Sequence, residues 1–151
     1  NVFKTELKKR ESDSIKVESY GLHGFILPPT KGKCLKDYPT EYKLSKPHLD
    51  KLKININRHK SRPLTEKVLE EANLIITMHP KVTELLLENY PQFKNKTFSI
   101  TDLCSKKIIL EDVDGSKDPN IYEKTIKNTK LCVLKSFNKI IKLSRQNENR
   151  N

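Results

Sequence analysis

The stretch RHKSRPLTEKVLEEANLIITM, Arg58 to Met78, carries three patterns in 21 residues. It opens on a basic, hydroxyl-bearing turn, His59-Lys60-Ser61-Arg62. Thr65 then stands where a helix N-cap is wanted, and Val68, Leu69 and Ala72 recur at helical spacing over Glu66 to Ala72. Leu74 to Met78 is a short apolar run, as a buried parallel strand should be. A helix feeding directly into such a strand is the building unit of α/β folds.

The same alternation continues on both sides. Downstream, His79-Pro80 opens a helix with Val82, Leu85, Leu86 and Tyr90 on its apolar stripe, and Pro91 stops it. Lys96 to Leu103 reads as a strand, with Phe98, Ile100 and Leu103 inward. Ile108-Ile109-Leu110 leads into an acidic loop, Glu111 to Pro119. Asp118 caps a long last helix with Pro119 at its first position. Tyr122, Ile126, Val133, Phe137 and Ile141 form that helix's apolar face, and residues 144–151 read as a frayed tail. Upstream, residues 1–10 are helical with Val2, Phe3 and Leu7 on one stripe, and Ser14 to Leu22 is a short strand ending at Gly21. Gly24 to Lys46 holds two proline-containing turns and no clean period, so it reads as a surface excursion. Ser45 as N-cap and Pro47 in the first turn start a helix with Leu49 and Leu52 inward. The expectation is a single α/β domain over 1–143 with a mainly parallel sheet and no internal repeat. Working residues in such sheets sit on loops after the strands' carboxyl ends, here Ser19 to Gly21, Met78-His79 and the loop at Glu111.

Composition narrows the class. The chain has 151 residues, 34% hydrophobic and 32% charged, with a formal net charge of +11. No apolar stretch approaches the roughly 18 residues that span a bilayer, which argues against a membrane partner and for a cytoplasmic protein. The lysines are spread along the chain, with no arginine cluster and no interleaved aromatic motif, so nucleic acid is not the expected main partner. A positive surface equally attracts acidic or phosphorylated substrates. Cys34, Cys104 and Cys132 are odd in number and widely spaced, which suggests neither a zinc site nor a disulfide scaffold. Cys132 lies on an apolar helical face, and the four histidines show no ligand pattern, so no metal or other cofactor is expected.

The order of these pieces resembles the low-molecular-weight protein tyrosine phosphatases and the bacterial protein-arginine phosphatases of the same fold. VFKTEL (Val2 to Leu7) looks like the helix after the family's phosphate loop, and VESYGL (Val17 to Leu22) like its V-x-S-A-G-L strand and turn. HKSRPLTEKVLEEANLIITM resembles its H-[KR]-[SA]-R-x-[LV] turn, helix and strand. ENYP (Glu88 to Pro91), the loop IILEDVDGS (Ile108 to Ser116) and Tyr122 follow in the family's order, and Gly24 to Lys46 looks like an insertion.

The resemblance implies a three-layer fold, a four-stranded parallel sheet with helices on both faces, and a phosphorylated protein as substrate. It also implies a mechanism. A cysteine thiolate attacks phosphorus, the arginine of a C-x5-R loop binds the phosphoryl oxygens, and an aspartic acid protonates the leaving group. No C-x5-R is present. Six residues after Cys34, Cys104 and Cys132 stand Thr40, Leu110 and Asn138. The expectation is that the loop and its central strand lie upstream of Asn1; the alternatives are a homologue that has lost the loop and serves as a binding or regulatory module and, ranked below it, a basic nucleic-acid-binding α/β domain. Asp112 falls in the general-acid place, with Asp114 and Asp118 as rivals, and Asp118-Pro119 is the only literal Asp-Pro. Ser19 and His59 correspond to the family's supports for the phosphate loop, and His59 is expected to be buried and hydrogen-bonded. Lys60, Ser61 and Arg62 read as a solvated turn. No aromatic residue closely follows Asp112, which weakens phosphotyrosine against phosphoarginine as the substrate group without deciding between them. An arsenate reductase of the same fold would need two cysteines soon after the LIITM-like strand, and residues 78–95 contain none.

Overall fold

A computed structural model of the chain describes residues 2–9, 15–22, 32–57, 59–104, 108, 110, 111, 113 and 115–148. They are helices and a small parallel sheet in α/β alternation, gathered into two compact units. One unit comprises residues 1–65 and 111–127, the other 66–110 and 128–151.

The second unit contains the sheet. Helix α3 (Glu66–Glu71) buries Leu69 and leads into strand β1 (Ile75–Thr77). Helix α4 (Pro80–Asn89) and a 3-10 helix (Pro91–Lys96) carry the chain back to strand β2 (Thr97–Ser99). The strands pair in parallel, Ile75 with Thr97, Ile76 with Phe98 and Thr77 with Ser99. Parallel neighbours need such a crossover because a tight hairpin can join only antiparallel strands. His79 opens α4 as expected, its Nδ1 accepting from the Lys81 N–H at 3.2 Å. Pro91 cannot continue that helix and opens the 3-10 turn.

Two readings of this region need correction. The strand expected over Lys96 to Leu103 ends at Ser99, and Ile100–Cys104 is a short helix, α5. Ile100 and Leu103 are buried, but at the i, i+3 spacing of a helix face. The alternation of Phe98 and Ile100 suggested a strand running on to Leu103, although an i, i+3 pair falls on opposite faces of a strand. The last helix, α6 (Pro119–Glu148), continues past Ser144, where a tail is expected. The Asn147 side-chain amide donates to the Asn73 carbonyl at 3.0 Å, a contact that ties this last turn to the chain before β1.

Cys132, Ser136, Phe137 and Ile140 form the buried stripe of α6 in this unit. Ser136 is tolerated there because its Oγ donates to the Cys132 carbonyl at 2.7 Å. Burying Leu69, Leu86 and Ile100, each at most 2% exposed, contributes about 1.5–3 kcal/mol apiece. Cys104 and Cys132 are joined as a disulfide, with Cα atoms 5.0 Å apart, against the expectation of unpaired cysteines. The helix after β2 is what brings them together. A 28-residue separation gives no hint of the pairing in the sequence.

The first unit holds helix α1 (Val2–Lys9), which buries Leu7, and helix α2 (Pro39–Lys51), which buries Ser45 and Leu49. The α2 start corrects the expected one. Pro39 takes the first position, and Ser45 and Pro47 lie inside the helix. A proline at the first position loses no intrahelical bond, so Pro39-Thr40-Glu41 is as good a start as Ser45-Lys46-Pro47. The excursion is thereby shorter, and residues 24–31 of it lie outside the described residues.

Helix α2 ends on a Schellman-type cap. Lys53 sits in the left-handed region at φ 56°, its N–H donating to Asp50 C=O at 2.9 Å, while the Ile54 N–H reaches Leu49 C=O at 2.8 Å. Glycine occupies that conformation without a Cβ penalty. Lys53→Gly should therefore stabilise the protein by about 0.5–1 kcal/mol, read as a raised midpoint in urea unfolding. An unchanged or lowered midpoint would mean that Lys53 gains more from its side chain than it loses in backbone strain.

Of the strand expected over Ser14 to Leu22, the described residues 15–22 form no regular strand and make a parallel bridge, Gly21 to Pro63. The Gly21 N–H donates to Arg62 C=O, and Leu64 N–H to Gly21 C=O, both at 2.9 Å.

Candidate functional site

Every segment that carries a candidate site residue belongs to the first unit. Asp112 and Asp114 themselves lie outside the described residues, but the loop on either side of them is described.

That loop is fastened by the first two turns of α6. Tyr122 is 1% exposed, and a buried phenol needs an acceptor. It has two, since its hydroxyl lies 3.1 Å from both the Val113 and the Ser116 carbonyl oxygens. The Ser116 N–H closes a turn onto the Val113 carbonyl at 3.1 Å, and Gly115 takes φ 71° at the turn's third position. Positive φ there favours glycine, which explains Gly115 at this position. Before the turn, Glu111 forms an ion pair with Lys124 at 2.5 Å, and its carbonyl accepts from Thr125 Oγ1 at 3.5 Å. The backbone is thus held at residues 111, 113 and 116, bracketing Asp112 and Asp114. Sequence reasoning placed Tyr122 on the helix's apolar face and missed its second task. The signal was present, because tyrosine, unlike phenylalanine, carries a hydroxyl that burial obliges it to bond.

Asp118 performs the cap expected of it. Its Oδ1 accepts from the Asn120 N–H at 2.9 Å, its own N–H donates to Ser116 Oγ at 3.2 Å, and the residue is exposed.

The segments bearing Ser19 and His59 are brought together by Arg62. Its guanidinium donates to Glu18 Oε1 at 3.0 Å and to the Ser19 carbonyl at 3.3 Å. It also stacks 4.4 Å over the Tyr20 ring centroid. Tyr20 Oη in turn donates to Glu18 Oε2 at 3.0 Å. Arg62 is therefore more than a solvated turn residue, since its planar fork serves a carboxylate, a carbonyl and an aromatic face at once. The Arg62 hydrogen bond, with smaller help from Tyr20 and Lys16, lowers the Glu18 carboxyl to about 2. Any stabilisation from this pairing is present above pH 4.5 and fades as pH falls toward about 2, because only the carboxylate form is favoured by the fold. Burial, then the bond to Glu18, raises the Tyr20 phenol.

The side chains of Ser19 and His59 are both exposed. This corrects the expected burial of His59. The turn is held to the neighbouring segment at Arg62 to Leu64, and His59 lies before that contact, where its N–H bonds the Ile56 carbonyl at 2.9 Å.

Next to this turn, the end of the excursion is stitched down. Gly32 N–H donates to Ser61 C=O at 3.1 Å, and Ser61 N–H to Lys33 C=O at 2.7 Å. Asp37 accepts from the Cys34 N–H at 2.6 Å, which lowers its carboxyl, with Lys33 and Lys60 adding to the effect. No cluster of three potential metal ligands occurs among the described residues, and none of their helices is long and apolar enough to cross a membrane.

No family model matches the chain, and a search of curated proteins finds no match. Solved structures do match. A YwlE mutant from Bacillus subtilis is 21% identical, with 93% of this chain and 86% of that one covered at a TM-score of 0.70. A YwlE arginine phosphatase from Geobacillus stearothermophilus is 16% identical, covering 96% and 86%, also at 0.70. A protein tyrosine phosphatase from Entamoeba histolytica is 18% identical, covering 96% and 86%, at 0.63. The chain shares the fold of arginine and tyrosine phosphatases over most of their length.

Proposed function

We propose that this chain is the body of a cysteine-dependent phosphoprotein phosphatase, a single cytoplasmic domain over residues 1–143 that hydrolyses phosphoarginine or phosphotyrosine. The observation that carries this reading is the fold shared with phosphatases, with the acidic loop held at the head of the last helix by Tyr122. The 151 residues contain no C-x5-R, so the nucleophile and the phosphate-binding arginine are assigned to sequence upstream of residue 1.

In this mechanism the thiolate displaces the leaving group from phosphorus and forms a phosphocysteine. Asp112, as a neutral acid, protonates the departing nitrogen or oxygen. As a carboxylate it then activates the water that releases inorganic phosphate. Asp114 is its nearest rival. Asp118 is the weaker one, because its carboxylate is already engaged as the cap of α6. Ser19 and His59 support the phosphate loop in this reading and do not react. The chain needs no metal or other cofactor, because every step uses side-chain and backbone groups. The four-stranded, three-layer sheet belongs to the same proposal, with the central strand leading into the phosphate loop.

The test is release of inorganic phosphate from phosphoarginine-containing and phosphotyrosine-containing protein by the chain joined to its upstream C-x5-R segment. Hydrolysis of either is expected. A start codon directly before Asn1, with no such segment, would favour a phosphatase-like binding module.

A further inference from the structure

Cys104 and Cys132 both belong to the second unit, and the candidate phosphatase residues belong to the first. Cys104 ends α5 and is partly accessible, whereas Cys132 is 0% exposed within α6. Their bond closes a ring of chain, with a sequence separation of 28, that encloses the whole acidic loop from Glu111 to Pro119. Cys34 is the remaining, unpaired thiol.

We propose that Cys104 and Cys132 form a reversible redox modification site, exchanged with a dithiol reductant. The proposal rests on the cytoplasmic reading above, because a disulfide there is turned over by dithiols, whereas a secreted protein keeps it as a permanent staple. The exposure difference sets the direction of attack. A thiolate of the reductant attacks Cys104 Sγ, forming a mixed disulfide and expelling Cys132 as a thiolate, which takes a proton from water. The reductant's second thiol then displaces Cys104, and the reductant leaves as its own disulfide. Two electrons and two protons pass to the protein. The reduced state is accommodated, because Cys104 Sγ lies 3.7 Å from the Thr101 carbonyl, which can accept from a thiol. Cys132 in its thiol form is a small apolar group on a buried stripe, an ordinary core occupant. Only the oxidised form carries the cross-link, so oxidation should raise thermal stability.

The experiment uses the full chain with no activity readout, so its failure is separable from failure of the phosphatase reading. The folded protein is equilibrated with dithiothreitol or with its oxidised form, then denatured, alkylated and weighed intact. Among Cys34, Cys104 and Cys132, oxidised protein should take one alkyl group, at Cys34, and reduced protein three. The oxidised form should melt higher by about 5 °C or more. In Cys132→Ala, and in Cys104→Ala should the first fail to fold, this redox-dependent difference should vanish. Three alkyl groups under both conditions would overturn the proposal, as would a bond that dithiothreitol reduces only after unfolding. A melting difference that survives both substitutions would overturn it too.

Discussion

Asp112→Asn, in the chain carrying its C-x5-R segment, should lose about 100-fold or more in kcat, the usual scale for a positioned general acid. The amide keeps the shape of the side chain and cannot give up a proton. The loss should therefore shrink when the leaving group is itself a weak base, as in p-nitrophenyl phosphate, and be largest for groups that must leave protonated. The expectation is specific to position. Asp118→Asn should leave both kcat and stability nearly unchanged, since the amide oxygen can still cap α6. An inactive Asp118→Asn beside an active Asp112→Asn would transfer the acid's role to Asp118. The same pattern at Asp114 would transfer it there.

Tyr122→Ala should destabilise the protein by about 3–5 kcal/mol, the range for truncating a buried aromatic residue. Tyr122 is 1% exposed, so little of the resulting void can be refilled from solvent. Tyr122→Phe divides the effect. It keeps the ring and removes only the hydroxyl that bonds the Val113 and Ser116 carbonyls, at a cost of about 1 kcal/mol. Because those carbonyls flank Asp114 and follow Asp112, Tyr122→Phe should also lower kcat while leaving the remainder of the fold in place. Urea unfolding and steady-state kinetics on the two variants would check both statements. Equal stability losses for Phe and Ala would show that the hydroxyl, not the ring, holds the site.

The sequence announced its strongest features wherever pattern and chemistry agreed. LIITM became β1, His79-Pro80 opened α4, and Asp118-Pro119 capped and opened α6. Readings failed where two local rules competed. Phe98 and Ile100 alternate as in a strand, whereas Ile100 and Leu103 stand at helical spacing, and the chain turns helical at Ile100. Pro39 and Pro47 both make acceptable helix starts, and the one farther upstream won. The role of Arg62 was invisible for a different reason. Its partners Glu18, Ser19 and Tyr20 lie over 40 residues away, and no local rule joins them. Pairing of Cys104 with Cys132 was hidden in the same way, since it depends on where α5 meets α6. At the candidate site the residue types were legible and the support was not. Asp112 can be picked out by its place in a motif, but that Tyr122, Lys124 and Thr125 hold the loop around it follows only from the fold.

The most direct test of the phosphatase reading is to mix the chain, joined to its upstream C-x5-R segment, with phosphoarginine-containing protein and, separately, phosphotyrosine-containing protein. Inorganic phosphate is followed by phosphorus NMR, and the acid-quenched protein is weighed intact. The expected result is phosphate release from at least one of the two, with a single phosphoryl group found on the loop cysteine and none after its replacement by alanine. Phosphate release from neither, with no phosphoryl group on a well-folded chain that contains the loop, would contradict the account.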